Sequence, residues 1–171
     1  MALVATRRLC KSPLSRSQTH GRMPSMTSSE KFVRWTLPVQ GFHVIVIEFG
    51  GEIRVHTGGP RPDGERFASA MRIDFGGRFT YVTEVGVSHE FHAENDPWDS
   101  MTPLFRLRHR LIVSAVADSA SNVEIRFDDT SSLSAGPDEN YENWAIVGPG
   151  DLHLVAVPGG GDPRIAGNLE V

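Results

Sequence analysis

At 171 residues the chain is long enough for one domain with a hydrophobic core and too short for us to expect two. Its 39% hydrophobic and 22% charged residues are those of an ordinary globular protein, and no run of about 18 apolar residues is present, so neither a disordered class nor a membrane protein is indicated. Cys10 is the only cysteine, which excludes an intrachain disulfide and favours a reducing, cytoplasmic location.

The charge is unevenly distributed along the chain. The formal net charge is −4, but the first 25 residues carry five basic side chains and no acidic one. The remaining residues therefore hold 12 basic and 21 acidic side chains, a net charge of −9. A domain of that sign repels nucleic acid and attracts basic proteins. We therefore predict a protein partner of basic character and no binding of nucleic acid.

Residues 1–29 are rich in Ser, Arg and Thr and have no periodic apolar pattern, which predicts a disordered basic tail. No apolar stretch of about 7 to 15 residues follows Arg7 and Arg8, so we do not expect a secretory signal peptide. Two interpretations stay open. The tail has the composition of an organelle transit peptide, or it is an extension upstream of a true start at Met23 or Met26, which we favour.

The folded domain is predicted at residues 30–165, with a flexible C-terminus at 166–171. Its dominant period of two is that of half-buried β-strands. The alternating stretch 34–40 predicts a first strand, which Pro38 confines to a sheet edge or a strand end. The stretch 42–49 is apolar on both faces and predicts a central strand.

Two Gly-Gly pairs follow apolar stretches in the first half of the chain, Gly50-Gly51 and Gly76-Gly77. Glycine adopts positive φ at little cost, so each pair predicts a tight hairpin turn. Two hairpins in so small a chain favour antiparallel pairing.

One short helix is predicted near residues 99–107, where Asp99 or Ser100 is placed to cap its first turn and Pro103 is tolerated only in that turn. The second half otherwise continues in short alternating stretches and ends in a hairpin over residues 141–157. About eight or nine short strands separated by polar turns predict an all-β, mainly antiparallel fold, either a small sandwich or a partly open barrel.

Several motifs resemble those of a small, uncharacterised bacterial family known only as a domain of unknown function. These are Trp35-x-Leu37 followed by Gly41, the apolar strand Ile112 to Ala117, Val123-x-Ile125-x-Phe127-Asp128-Asp129, Tyr141-Glu142-x-Trp144, and Val157-Pro158-Gly159-Gly160. The resemblance covers most of residues 35–161. It implies an intracellular bacterial β-domain with no established activity.

His89, Glu90, His92 and Glu94 place two imidazoles and two carboxylates within six residues, and these are ligand types that zinc accepts. On a helix His89 and His92 would share a face, but on a strand their spacing puts them on opposite faces. The H-E-x-x-H spacing of zinc hydrolases is not present. We therefore predict no metal and no cofactor, and retain His89, His92 and Glu94 as the weak metal candidates.

A second set of candidates is acidic and aromatic. It comprises Asp128, Asp129, Asp138, Glu139, Tyr141, Glu142 and Trp144. The carboxylates lack the spacing of a calcium loop, and acidic turn residues ordinarily keep strand edges soluble. Tyr141 and Trp144, three apart, should point to opposite faces of one strand, one in the core and one partly exposed. Because exposed aromatics dominate binding hot spots, we predict a partner-binding surface at Asp138, Glu139, Tyr141, Glu142 and Trp144.

No nucleophile motif is assembled, since Gly86-Val87-Ser88-His89-Glu90 lacks the second glycine of a nucleophile elbow. We therefore favour a non-catalytic protein-binding module of unknown oligomeric state. A narrower alternative is an acidic immunity- or inhibitor-type antidote to a basic enzyme. A second alternative is a metal-binding or hydrolytic domain that uses the loop from His89 to Glu94.

Overall fold

The structure is a computed structural model that describes residues 33–59, 68–149 and 151–166. Within these residues the chain forms twelve strands and one 3₁₀ helix at Trp98–Leu107. The strands are β1 (Arg34–Thr36), β2 (His43–Phe49), β3 (Ile53–Gly59), β4 (Ala68–Phe75), β5 (Arg78–Val82), β6 (Ser88–His92), β7 (Ile112–Asp118), β8 (Val123–Phe127), β9 (Ser132–Ala135), β10 (Trp144–Val147), β11 (His153–Val155) and β12 (Arg164–Ala166). The predicted all-β, antiparallel class is confirmed, with a few more strands than expected.

The strands form two six-stranded sheets in which every neighbouring pair is antiparallel. The first sheet has the order β1-β7-β8-β9-β5-β6, and the second has the order β12-β11-β10-β4-β3-β2. Neither sheet closes into a barrel within the described residues, so the architecture is the sandwich of the two predicted alternatives.

A single hydrophobic core lies between the sheets. Alternate side chains of each strand face inward, and the largest fully buried ones come from both sheets and the helix: Trp144, Tyr81, Phe75, Phe127, Leu37, Ile53, Ile73, Met101, Leu104, Leu107, Ile112 and Ile125. Complete burial of one such side chain contributes about 1.5–3 kcal/mol. The indole N–H of Trp144 is also paired, since it donates to Ser121 O at 2.7 Å. The core is therefore continuous, and the polar atom of its largest side chain has a hydrogen-bond partner.

Two local predictions are confirmed. Pro38 follows the end of β1, and β1 is an edge strand of the first sheet, where the missing proline N–H costs no ladder hydrogen bond. Gly50-Gly51 joins β2 to β3 in an antiparallel hairpin, as predicted.

The prediction of a central strand at residues 42–49 is wrong, because β2 is an edge of the second sheet. Its outer edge is covered by the segment after the helix: Val44 O accepts from His109 N at 2.7 Å, and Val44 N donates to Arg110 O at 2.9 Å. At the other end of the strand, Phe49 packs against an aromatic ring of the helix. A loop therefore covers the edge where the prediction assumed a neighbouring strand, and one face stays open, since Val46 is 48% exposed.

The predicted hairpin at Gly76-Gly77 is also wrong. β4 belongs to the second sheet and β5 to the first, so the chain crosses between the layers at this pair. Gly76 N donates to Asn143 O at 2.9 Å, and at Gly77 the side chains of Asn143 and Tyr141 occupy the space that a Cβ would need. Glycine is required here for close approach, and a tight turn is not formed.

The helix lies where the sequence predicts it, but its predicted cap is wrong. Pro97 occupies the N-cap position with no capping side chain, and Ser100 Oγ donates to Pro97 O at 2.6 Å. Pro103 lies inside the helix, beyond its first turn. Its buried side chains recur at every third residue, which is the period of a 3₁₀ helix, and are Met101, Leu104 and Leu107.

The C-terminal hairpin is confirmed as β10 and β11, and β12 adds a further edge strand that the sequence did not indicate. Ala166 ends β12, one residue beyond the predicted domain boundary. The predicted tail at residues 1–29 and the segment 167–171 lie outside the described residues.

We expect Gly77→Ala to destabilise the fold by about 1–3 kcal/mol, the usual cost of overpacking a well-packed site. A Cβ there would overlap Asn143 Oδ1 and lie 2.7 Å from Tyr141 Oη, and Asn143 is held by two hydrogen bonds of its own. The measurement is urea unfolding, with Gly51→Ala as the control because nothing lies within 4 Å of a Cβ at that position. Equal losses in the two variants would contradict the steric account.

Candidate binding surface

One row of cross-strand partners runs over the outer face of the first sheet and includes all six strands. In order across the sheet it consists of Thr36, Val116, Glu124, Ser134, Thr80 and Glu90. Directly opposed residues of neighbouring strands point to the same face. The residues that alternate with this row, such as Tyr81 and Ile125, are buried in the core.

An open groove of about 810 Å³ lies over this row. Short side chains line its middle, namely Thr80, Val116 and Ser134. Charged and imidazole side chains line the rest: Arg34, Arg78, Glu90, His92, Asp96, Asp118 and Glu124. Strands in a sheet are about 4.8 Å apart, so five spacings extend about 24 Å, roughly the length of seven residues of extended chain. The groove therefore has the dimensions of a polypeptide site.

Some charged side chains of the groove already form hydrogen bonds with other groups of the protein. Glu124 Oε1 accepts from Arg126 Nε at 2.9 Å, and Asp96 Oδ2 accepts from His92 N at 2.7 Å. Asp118 holds the turn after β7 through several amide groups. Among the described residues, no partner binds the charged groups of three groove side chains, Arg34, Arg78 and Glu90. These three remain available to a ligand.

The acidic loop, which we define as residues 136–142, borders the groove, and Gly136 belongs to both. Asn143 anchors this loop: its Nδ2 donates to Arg78 O on β5 and to Gly136 O, both at 2.8 Å. The loop carries the exposed carboxylates Glu139 and Glu142 and the half-buried Asp138. The predicted acidic surface and the groove therefore form one continuous area.

The two predicted aromatic residues have different roles. β10 begins at Trp144, so Tyr141 precedes the strand and the expectation that they share it is wrong. Their division into a core and a partly exposed residue is confirmed, since Trp144 is 1% and Tyr141 37% exposed. Trp144 is therefore removed from the predicted contact surface, and Tyr141 remains on it.

The acidic candidates do not form one cluster. Asp128 and Asp129 precede β9 and the acidic loop follows it, so the two groups lie at opposite ends of that strand. Asp129 Oδ1 accepts from Ser131 N and Oγ, and its Oδ2 lies 2.9 Å from Arg110 Nε, an ion pair without hydrogen-bond alignment. These contacts give Asp129 a structural role in its turn.

The candidate metal ligands are not brought together. His89 lies on the inner side of β6, where its ring stacks with Tyr81 and Phe91, whereas His92 lies on the outer face and lines the groove. Glu94 follows the strand. Within the described ranges, no three His, Cys, Asp or Glu side chains are grouped as a metal site.

The sequence did not reveal β6 or the groove. Ser88 to His92 is polar at four of its five positions, and Glu90 and His92 lie on the face that forms part of the groove. One pattern in the sequence could have predicted this strand: Phe91 and the half-buried His89 alternate with Ser88, Glu90 and His92.

A model of a family of unknown function, DUF6188, matches residues 35–162, well over half of the chain. The chain belongs to the DUF6188 family. The predicted resemblance to a domain of unknown function over residues 35–161 is thereby confirmed. Neither a curated protein nor a solved structure matches the chain. In the described part of this DUF6188 domain, every helix is too short or too polar to cross a membrane.

In the DUF6188 domain we expect Asn143→Ala to lower the free energy of unfolding by about 2 kcal/mol or more, because it leaves Arg78 O and Gly136 O without their donor in a buried site. Asn140→Ala is the matched control, since its exposed amide has no partner among the described residues. Urea unfolding measures both. A loss no greater than that of the control would contradict the anchoring role.

Both tyrosines of the DUF6188 domain should ionise above the ordinary pH of about 10. Burial, with the negative charges of Glu84 and Asp129, raises the pKa of Tyr81. Burial, with the charges of Asp138 and Glu94, also raises the pKa of Tyr141. The chain has two tyrosines, so phenolate absorbance of the folded protein reports these groups alone.

Because both folded-state pKa values are raised, the associated stability is present below about pH 10 and is lost as the pH rises through the folded pKa values. The denatured chain is the control and should ionise near pH 10. A folded chain that ionises at the same pH as the denatured chain would contradict the predicted direction.

Proposed function

We propose that the protein is a non-catalytic protein-binding module whose contact surface is the groove of the first sheet together with the acidic loop. The observation that supports this most directly is the groove itself, which is lined by residues of all six strands and adjoins the surface predicted from the sequence. Its length across the sheet fits an elongated segment of a protein.

The charges of the surface favour a basic partner. Four acidic residues line the groove and the acidic loop adds three, against Arg34, Arg78 and the Arg126 that pairs with Glu124. Such an excess accelerates association with a basic protein and disfavours acidic ones. Arg34, Arg78 and Glu90 have no partner for their charges within the described residues, so they favour a partner that places opposite charges beside them.

Tyr141 is the proposed aromatic anchor of this surface. It is 37% exposed, and Glu139 and Glu142 beside it are exposed as well. Tyrosine contributes disproportionately to interface hot spots because its ring buries a large area at a low entropy cost. An anchor surrounded by carboxylates suits a basic segment that also carries an apolar or cationic side chain for the ring.

The non-catalytic character is supported by the spacing of the groove carboxylates. Glu90 and Glu124 lie three strands apart, about 14 Å at the backbone. The paired carboxylates of glycoside hydrolases are about 5–9.5 Å apart. This pair is therefore too far apart for that mechanism, and the other two groove carboxylates, Asp96 and Asp118, already accept hydrogen bonds from backbone amides.

The narrower alternative, an antidote that inhibits a basic enzyme, is favoured by the same acidic excess. In this version the groove and loop cover a cationic surface that the enzyme uses for its own substrate. It differs from simple binding in one measurable respect, since the captured partner must lose an activity when the domain binds.

The test is affinity capture with the full chain at low salt, followed by a measured Kd for the captured protein. We expect a basic protein, released at high salt because the Debye length falls from about 10 Å at 0.1 M to about 3 Å at 1 M. The double variant Glu139→Lys/Glu142→Lys should weaken binding by about tenfold or more, equivalent to about 1.4 kcal/mol.

A matched control is the double variant Glu48→Lys/Glu52→Lys, which makes the same change in net charge at the exposed β2–β3 hairpin of the second sheet. It should bind within about twofold of the original chain, since distant surface charges are largely screened. Equal weakening by both double variants would reject the proposed surface, and absence of any captured protein would reject the binding function.

A further inference from the structure

A second cleft, of about 420 Å³, lies between the turn that joins β5 to β6 and the 3₁₀ helix. Its lining residues come from both elements and from β6, and are Thr83, Val85, Val87, His89, Thr102, Pro103 and Arg106. It shares none of these with the groove of the first sheet. Its volume falls within the range of about 300–1,000 Å³ that small-molecule sites occupy.

His89 gives the cleft an unused polar group. Its ring stacks on Phe91 at 5.9 Å and 3°, and on Tyr81 at 6.2 Å and 18°, so packing holds its orientation. Neither ring nitrogen has a hydrogen-bond partner among the described residues. An imidazole that packing orients in a cleft, and whose nitrogens the protein leaves unbonded, offers a hydrogen-bonding group to a ligand there.

Arg106 supplies positive charge to the same cleft. Its Nη1 donates to Glu84 Oε1 at 3.0 Å, while its Nε and Nη2 have no partner among the described residues. Two guanidinium nitrogens that remain free match the two oxygens of a carboxylate, which arginine binds through parallel hydrogen bonds.

The walls of the cleft are apolar and unusually accessible. Val85 is 74% exposed and Val87 is 50% exposed, and Pro103 faces them from the helix. Apolar surface that a ligand removes from water contributes about 25 cal/mol per Å². The cleft therefore combines an apolar surface with an imidazole and a guanidinium, which together select for an amphipathic anion.

We propose that this cleft binds a small organic carboxylate with an apolar body. The carboxylate lies against the free nitrogens of Arg106 and within reach of His89, and the apolar body packs between the two valines and Pro103. This site is independent of the protein-binding surface proposed above, because the two share no residue.

The test is titration of the full chain with benzoate, followed by NMR of the methyl groups of Val85 and Val87. We expect saturable shifts at both valines and at the ring of His89. Benzyl alcohol, which keeps the apolar body without the charge, should bind about tenfold or more weakly. Absence of saturation with benzoate, or equal affinity for the two probes, would overturn the proposal.

Two variants of exposed side chains change the affinity in opposite directions. Arg106→Gln should weaken benzoate binding about tenfold or more, since it removes the charged donor. Glu84→Gln should strengthen it about twofold to fivefold, because it removes a like charge and a competitor for Arg106. His153→Gln, on the second sheet, is the control and should leave the affinity unchanged.

His89→Phe keeps an aromatic ring for the stack with Tyr81 and Phe91 but removes both nitrogens, and it should weaken benzoate binding about threefold or more. Unchanged affinity in both Arg106→Gln and His89→Phe would show that the probe binds elsewhere, and would overturn the proposal even if benzoate saturates.

Discussion

Asn143 connects the two sheets and the acidic loop through its main-chain oxygen and its side-chain amide. Its main-chain oxygen accepts from Gly76 N at the crossing between the layers, and its side chain donates to Arg78 O and Gly136 O. One buried residue therefore joins the last residues of β4, the first residue of β5 and both ends of the loop. Because Arg78, Phe79 and Thr80 of β5 line the groove, the groove depends on this crossing.

The neighbouring residue, Trp144, extends the same junction to the C-terminal motif. Its indole N–H donates to Ser121 O, and Ser121 Oγ accepts from Val157 N and donates to Gly161 O. Ser121 itself has a φ of 59°, a left-handed conformation that these contacts maintain. The Tyr-Glu-x-Trp and Val-Pro-Gly-Gly motifs thus meet at one turn. Through this turn, the contacts of Trp144 and Val157 fix the C-terminal hairpin to the connection between β7 and β8.

The alternation of apolar and polar residues was enough to predict the fold class, and Pro38 was enough to predict that β1 is an edge strand. Both features depend only on the local geometry of the backbone. The apolar composition of β2 does not reveal whether a strand or a loop covers its edge. Gly76-Gly77 has the composition of a hairpin turn, and only the position of Asn143, 66 residues later, shows that it is a crossing. The acidic loop could be placed from sequence, but the groove beside it required the strand order.

β6 shows why the two proposed sites are physically separate although they share a strand. Alternate residues of a strand point to opposite faces, so Glu90 and His92 line the groove while His89 lines the cleft. Coupling between the sites would require β6 to shift. The stack of His89 with Tyr81 and Phe91, both in the core, opposes such a shift. Salt should weaken binding at the groove more than binding at the cleft. Many charges act at the groove, whereas apolar contact also contributes to the affinity of the cleft.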